Sequence, residues 1–187
     1  MDEIAIGVSD HSGWAIVVVA GGSLVQPRVI DRRRFELCPD TLPRQVFHAA
    51  AELPAAEAEE LVAEVTAAAH ACAVREVSRL LDDLSQQAPH IAGIAVRAST
   101  REVPADLTTI LASHTLLHAA EGQLYQEAVA EAADDRGLRV ERFIRDDASR
   151  PSNAIDSLGK ALGPPWRKDH KDACAAALFV LSSSATT

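Results

Sequence analysis

Two aspartates near the end of the sequence have a spacing that suits metal binding. Asp169 and Asp172 lie three residues apart in the segment KDHKDACAAALFVL, which has the composition of a helix. Residues three apart share a helix face, so both carboxylates would point toward one site. The dipole at a helix N-terminus also stabilises their charge. The pair is a candidate for metal ligation; the alternative is ordinary acidic residues at a helix start.

A third candidate carboxylate, Asp10, follows the apolar stretch IAIGVS near the N-terminus. At the end of a strand, an aspartate could hold a metal ion for phosphodiester chemistry. The sequence DHSG is also typical of a turn, in which the aspartate bonds to its own backbone. Side chains alternate between the two faces of a strand, so Ser9 and Asp10 are expected on opposite faces unless a bulge re-aims one of them.

The elements that would position these residues follow from the hydrophobic periodicity. The predicted strands are Ile4–Ser9, Trp14–Ala20, Arg28–Leu37, Ile91–Val96 and Leu138–Ile144. The predicted helices are Thr41–Glu52, Ala55–Ser85, Pro104–Ala133, Ser152–Leu162 and Lys168–Leu181. The order β-β-β-α-β-α-β-α predicts an α/β fold with a five-stranded mixed sheet and helices on both faces. We expect a single domain over residues 1–187, with a frayed tail at 183–187.

The bulk composition narrows the classes of function. The 187 residues carry a net charge of −9, so the whole protein exerts no electrostatic attraction on nucleic acid, and any such contact needs a local basic patch. No apolar run is long enough for a membrane span. Asp2 and Glu3 have the wrong sign for the start of a signal peptide. Three cysteines without metal-type spacing predict buried thiols in a reducing compartment, and we expect a cytoplasmic location.

The element order and two short motifs resemble the ribonuclease H-like superfamily, and within it the RuvC-like Holliday-junction resolvases. In that family a small-residue strand carries the first metal-binding aspartate, as in IAIGVSD here. The family also ends with an Asp-x-x-Asp-Ala pattern, which Asp169, Asp172 and Ala173 match. The resemblance implies a Mg²⁺- or Mn²⁺-dependent endonuclease whose catalytic and metal-binding residues would be Asp10, Asp169 and Asp172. It also implies branched or structured nucleic acid as partner and a homodimer, for which the long helix from Pro104 could form the interface.

The sequence departs from the family pattern at two ligand positions. Ser9 stands where the family has its first aspartate, and Arg97 stands where it has an acid, usually glutamate. Hydrolysis by two metal ions needs several carboxylates, whereas arginine adds positive charge and no ligand oxygen. Asp146 and Asp147 follow the last predicted strand and could compensate for the missing acid; the alternative is that Asp147 caps the following loop or helix. We therefore predict weak or absent nuclease activity.

A separate histidine pattern occurs on the long predicted helix. His114, His118 and Glu121 are spaced i, i+4, i+7 and so lie on one helix face, and histidines four apart can bind a metal. No second segment supplies an obvious further ligand, so partly exposed histidines or a protein–protein contact face is the alternative. The basic residues of the segment DRRRFE could contact phosphates or could keep an edge strand solvated.

Two other classes of function remain open. One is a non-catalytic interaction or scaffold protein that retains only the fold; it predicts an ion pair between Arg97 and an aspartate. The other is a nucleotide-binding protein of the actin-like superfamily, which shares the strand meander. Proteins of that superfamily usually need two such domains, and the glycine turns here do not form a convincing phosphate-binding loop.

Overall fold

The computed structural model describes residues 3–23, 25–85, 90–144 and 153–184. In these ranges the chain forms a five-stranded mixed sheet with the strand order β3-β2-β1-β4-β5. The strands are β1 (Glu3–His11), β2 (Trp14–Gly22), β3 (Pro27–Glu36), β4 (His90–Arg97) and β5 (Val140–Phe143). The helices are α1 (Val46–Ala50), α2 (Ala55–Ser85), α3 (Leu107–Leu111), α4 (His114–Asp134), α5 (Asn153–Leu162) and α6 (Lys168–Ser184). The predicted α/β fold class is confirmed.

The first three strands form an antiparallel meander. A tight turn joins β1 to β2, with Gly13 at a φ of +81°, which glycine adopts without a steric penalty. β3 lies at the edge of the sheet, as its alternation of apolar and charged residues predicted. β4 pairs with β1 in parallel and β5 pairs with β4 in parallel, in agreement with the helical crossovers in the sequence.

Two predicted helices differ from the structure. The helix predicted over Thr41–Glu52 is only the short α1, because Pro43 lacks a backbone N–H and disfavours helical geometry at the residue before it. The helix predicted over Pro104–Ala133 is divided into α3 and α4. Asp106 caps α3 by accepting a hydrogen bond from the Thr109 backbone N–H at 2.8 Å, and Ser113 is extended immediately before α4.

The sheet separates two hydrophobic cores. Helices α2 and α4 cover one face, which we call the α4 face, where Ile4, Ile6 and Val8 of β1 are buried. Helix α6 covers the opposite face, which we call the α6 face, and packs against Ala5. The contact between α6 and β1 is so close that a Cβ on Gly7 would lie 1.9 Å from the Ala173 carbonyl oxygen. Only glycine allows this approach of the two backbones.

The structure also bears on the predictions for the cysteines and for membrane crossing. Cys38, Cys72 and Cys174 are free and buried, as predicted. Burial raises the pKa of the Cys174 thiol to about 12, so this thiol is neutral and unreactive at neutral pH. In the described ranges, no helix has both the length and the apolar character that a membrane crossing requires.

Candidate functional site

Asp10 lies near the C-terminal end of β1 and is almost completely buried, with a side chain that is 3% exposed. Its Oδ2 atom accepts a hydrogen bond from Arg97 Nη2 at 2.7 Å and another from Gln126 Nε2 at 2.9 Å. Its Oδ1 atom is buried and has no hydrogen-bond partner among the described residues. Asp10 is therefore part of a buried ion pair, and one of its oxygen atoms remains unsatisfied.

Parallel pairing of β1 and β4 brings Arg97 to this position. Gly7 of β1 lies beside Ala95 of β4. The C-terminal ends of these two central strands therefore lie next to each other, and Arg97, the last residue of β4, is close to Asp10. Arg97 is the residue that replaces the expected acid, and its side chain is 29% exposed. The guanidinium thus neutralises Asp10 from the neighbouring strand while part of it still contacts water.

The carboxylate of Asp10 faces α4, since Gln126 belongs to that helix. The pairing of β1 with β2 runs without interruption from Ile4 to His11, so no bulge in that pairing turns Asp10 toward the other face. The irregularity in the pairing with β4 lies between Ile4 and Ile6, at the far end of the strand. Alternation therefore places Ser9 on the α6 face with Gly7.

Asp169 and Asp172 lie in the first part of α6, on the opposite side of the sheet from the Asp10 carboxylate. Asp169 Oδ1 is 3.1 Å from His11 Nε2, although the two atoms are not aligned as a hydrogen bond. Asp172 forms an ion pair with Lys168, one helical turn away. Each of these aspartates therefore has a local partner.

The structure brings together some of the predicted site residues and separates others. Arg97 and Asp10 are in direct contact, whereas Asp10 does not meet Asp169 or Asp172. In the described ranges these carboxylates do not form a group of three ligand atoms within 4.8 Å of one another. Asp146 lies outside the described residues.

This arrangement does not fit the pair of divalent cations that the resemblance implies. Two Mg²⁺ ions need carboxylates that converge on a space about 4 Å across. The orphaned Oδ1 of Asp10 has the character of a ligand atom, but an arginine lies against the same carboxylate and contributes charge of the wrong sign. Among the described residues, these side chains therefore do not offer the converging carboxylates of a two-metal site.

The α6 face carries a second polar region around His170, which is 7% exposed. Burial and the nearby charge of Arg32 lower the pKa of His170, while Asp169 raises it to a smaller extent.

A cavity of about 450 Å³ in this region is lined by side chains from β2, β3 and α6, among them Trp14, Arg34 and Asp169. The Arg34 guanidinium lies 4.0 Å from the centre of the Trp14 ring, which gives a cation–π contact.

A further group of residues was only partly visible in the sequence. His114 and His118 lie on the first turns of α4, as their spacing predicted, and His48 of α1 joins them. Glu121 is 1% exposed and accepts a hydrogen bond from His48 Nδ1 at 2.7 Å. Sequence reasoning missed His48 because periodicity reports on a helix face and contains no signal for a contact between distant segments.

The comparisons with known proteins support the fold. No protein-family model matches the sequence, and no curated protein matches it. Among solved structures, the chain is similar to Thermus thermophilus RuvC in complex with a Holliday junction substrate, with a TM-score of 0.54 and 15% identity. It is equally similar to the Thermus thermophilus RuvC structure, at a TM-score of 0.54 and 14% identity. Each match covers 98% of this chain and 97% of the other. At this identity the likeness shows a ribonuclease H-like fold of the RuvC type.

Proposed function

We propose that this chain is a RuvC-like protein of nucleic-acid processing in which metal-dependent phosphodiester cleavage is weak or lost. The observation that carries the proposal is the buried ion pair between Arg97 and Asp10, at the edge of the sheet where the family pattern has an acid in place of the arginine. The nucleic-acid half of the proposal is supported by the similarity to RuvC, which has been solved with a Holliday junction substrate.

The ion pair opposes metal binding for an energetic reason. A metal ion at Asp10 would have to displace the guanidinium, which already neutralises the buried carboxylate and so removes the net charge that would attract a cation. Mg²⁺ also gives up its water shell reluctantly and needs well-ordered oxygen ligands. Gln126 adds a second donor to the same carboxylate oxygen, so the competition includes two hydrogen bonds.

The acids on α6 lack a partner carboxylate from β1. Alternation directs Ser9 toward their side of the sheet, and its hydroxyl is a weaker and uncharged ligand. Asp172 is also paired with Lys168, so the negative charge available to a cation there is reduced. These features together support the proposal that the site lacks the negative charge that metal binding requires.

The test measures binding and cleavage of one substrate under the same conditions. The wild-type protein is incubated with a four-way DNA junction and, as a matched control, with a linear duplex of the same arm sequence. We expect a mobility shift with the junction in the absence of divalent cation, and no strand scission when Mg²⁺ or Mn²⁺ is added. Scission that disappears in Asp172→Asn would contradict the loss of cleavage.

Calorimetry addresses the metal directly. We expect no Mg²⁺ binding in the wild type or in Asp172→Asn. Saturable Mg²⁺ binding that Asp172→Asn removes would contradict the closed site. Mg²⁺ is the probe of choice because it prefers oxygen ligands and does not report on histidine clusters.

A second candidate function is that of an interaction protein that retains only the fold. Two observations favour it: the ion pair between Arg97 and Asp10, which this function predicts, and the basic residues of β3, which are occupied within the chain. Arg32 donates to the carbonyl oxygens of Leu162 and Gly163, and Arg33 pairs with Asp83. Arg34 pairs with Glu36. If neither the junction nor the duplex shifts in the mobility assay, this function replaces the first.

A further inference from the structure

Three histidines from two separate segments form a cluster beside the N-terminal end of α4. His114 and His118 are one helical turn apart on α4, and His48 comes from α1. The ring centres of His48 and His118 are 4.6 Å apart, as are those of His114 and His118, and His48 lies 5.5 Å from His114. One nitrogen atom from each ring lies within 4.8 Å of the other two. Among the residues that the structure describes, this is the one group of three metal-ligating side chains with such a separation.

A buried carboxylate orients the first of these histidines. Glu121 Oε1 accepts a hydrogen bond from His48 Nδ1 at 2.7 Å and one from the His48 backbone N–H at 3.3 Å. A carboxylate oxygen is the acceptor in both contacts, so the proton of the neutral imidazole resides on Nδ1. The lone pair of His48 is then on Nε2, the free nitrogen of the ring. Histidines that bind metals in proteins very often have their other nitrogen held by a carboxylate in this way.

We propose that His48, His114 and His118 bind one divalent transition-metal ion of the zinc class, with Glu121 as the positioning residue for His48. Imidazole nitrogen suits zinc, whereas magnesium and calcium take oxygen ligands. Zinc–nitrogen bonds of about 2.0–2.1 Å in a tetrahedral site place ligand nitrogens roughly 3.3 Å apart. Closing the observed separation requires small rotations of the imidazole rings. His114 and His118 are exposed and have room to make them.

Three protein ligands leave one coordination position for water or a small anion. His118 also lines a cavity of about 340 Å³, together with Arg97, Ser99 and Gln126. The cavity gives an ion a route to the cluster from solvent. The cation would also supply positive charge close to Glu121, a carboxylate that is 1% exposed and that, among the described residues, accepts hydrogen bonds from His48. This proposal does not depend on the nuclease or scaffold function, because it uses none of the aspartates discussed above.

The experiment uses the full chain without a polyhistidine tag. Zn²⁺ is titrated by calorimetry, and the metal retained after dialysis is measured by elemental analysis. Co²⁺ serves as a spectroscopic probe, since a site with nitrogen ligands and tetrahedral geometry gives a characteristic visible absorption. We expect one Zn²⁺ per chain in the wild type. We expect loss of binding in His114→Gln and in His118→Gln, both of which change exposed side chains and leave the core intact.

A matched control and a positioning variant sharpen the result. His90→Gln changes an exposed histidine on β4 that pairs with Glu3 and lies outside the cluster, and we expect it to bind Zn²⁺ like the wild type. Glu121→Gln should weaken Zn²⁺ binding about 10- to 100-fold, as loss of an orienting carboxylate does in other sites. The proposal is overturned if the wild type binds no Zn²⁺, if binding survives both His114→Gln and His118→Gln, or if His90→Gln abolishes it equally.

Discussion

Carboxylates occur on both sides of the sheet near the C-terminal end of β1, and their surroundings differ. On the α4 face, the Asp10 side chain is 3% exposed and shares one oxygen between Arg97 and Gln126. On the α6 face, the Asp169 and Asp172 side chains are 31% and 29% exposed, and their partners are His11 and Lys168. Burial makes a charge partner essential for Asp10, whereas water can solvate the other two. We therefore expect loss of the partner of Asp10 to affect stability more than loss of the partner of Asp172.

Arg97→Ala should have the largest effect, because it leaves the Asp10 carboxylate buried without its cation. We expect the free energy of unfolding to fall by about 3–5 kcal/mol, measured by denaturant titration. The double variant Asp10→Asn, Arg97→Ala removes the charge as well as its partner, so it should lose less stability than Arg97→Ala alone. If Arg97→Ala loses no more stability than a surface substitution does, the buried ion pair is not as important as its burial indicates.

Gly7→Ala tests the close contact between β1 and α6, which packs that helix against the sheet. The added Cβ would lie 1.9 Å from the Ala173 carbonyl oxygen and 2.5 Å from the Ala177 nitrogen, both of which are backbone atoms. We expect a loss of about 1–3 kcal/mol in the free energy of unfolding, since α6 must move away from β1. Gly122→Ala is the matched control: its Cβ would meet only Gln126 Nε2, at 3.8 Å, within α4. An equal loss in both variants would argue against close packing as the cause.

Lys168→Ala tests the more exposed ion pair on the α6 face. It removes the partner of Asp172, whose side chain water can still reach. We expect the free energy of unfolding to change by no more than about 1 kcal/mol, and the change should shrink further at high salt. A loss as large as that of Arg97→Ala would show that the α6 acids are held as tightly as Asp10.

The smallest expected effect is the contribution of His170, on the α6 face, to the pH dependence of the free energy of unfolding. Burial and the Arg32 charge lower the pKa of folded His170, the Arg167 charge adds to this, and Asp169 opposes it. The unfolded chain keeps the ordinary pKa of about 6.5, so it takes up the proton first as the pH falls. The stabilising contribution of neutral His170 is therefore present above pH 6.5 and is lost as the pH drops through the lowered pKa. Unfolding titrations from pH 7.5 to pH 5 should show a shallower decline in His170→Gln than in the wild type.

Much of the fold could be predicted from the sequence. The apolar periodicity gave the bounds of α2 as Ala55–Ser85, the same as in the structure. It also gave the edge position of β3 and the parallel pairing of β4, because alternation and crossover length are local properties. The prediction of one continuous helix over Pro104–Ala133 was wrong. Two helices occupy this segment, and Asp106 and Ser113 are the residues immediately before them.

The candidate sites were less accessible to sequence reasoning. An ion pair between Arg97 and one of the three aspartates was foreseen, but the choice of Asp10 depended on the packing of β4 against β1. His114, His118 and Glu121 were recognised as one helix face, while His48 was not connected with them. A contact between α1 and α4 depends on how two helices pack over the sheet, and no local pattern records that.

The sequence by itself determined the element order and the opposite facing of Ser9 and Asp10. Each of these follows from backbone geometry over a few residues. Only the tertiary structure decided that Arg97 neutralises Asp10 and that His48 completes a histidine cluster held by Glu121. These contacts join residues far apart in the chain, and their partners are selected by burial and packing, which exist only once the whole sheet and its helices have assembled.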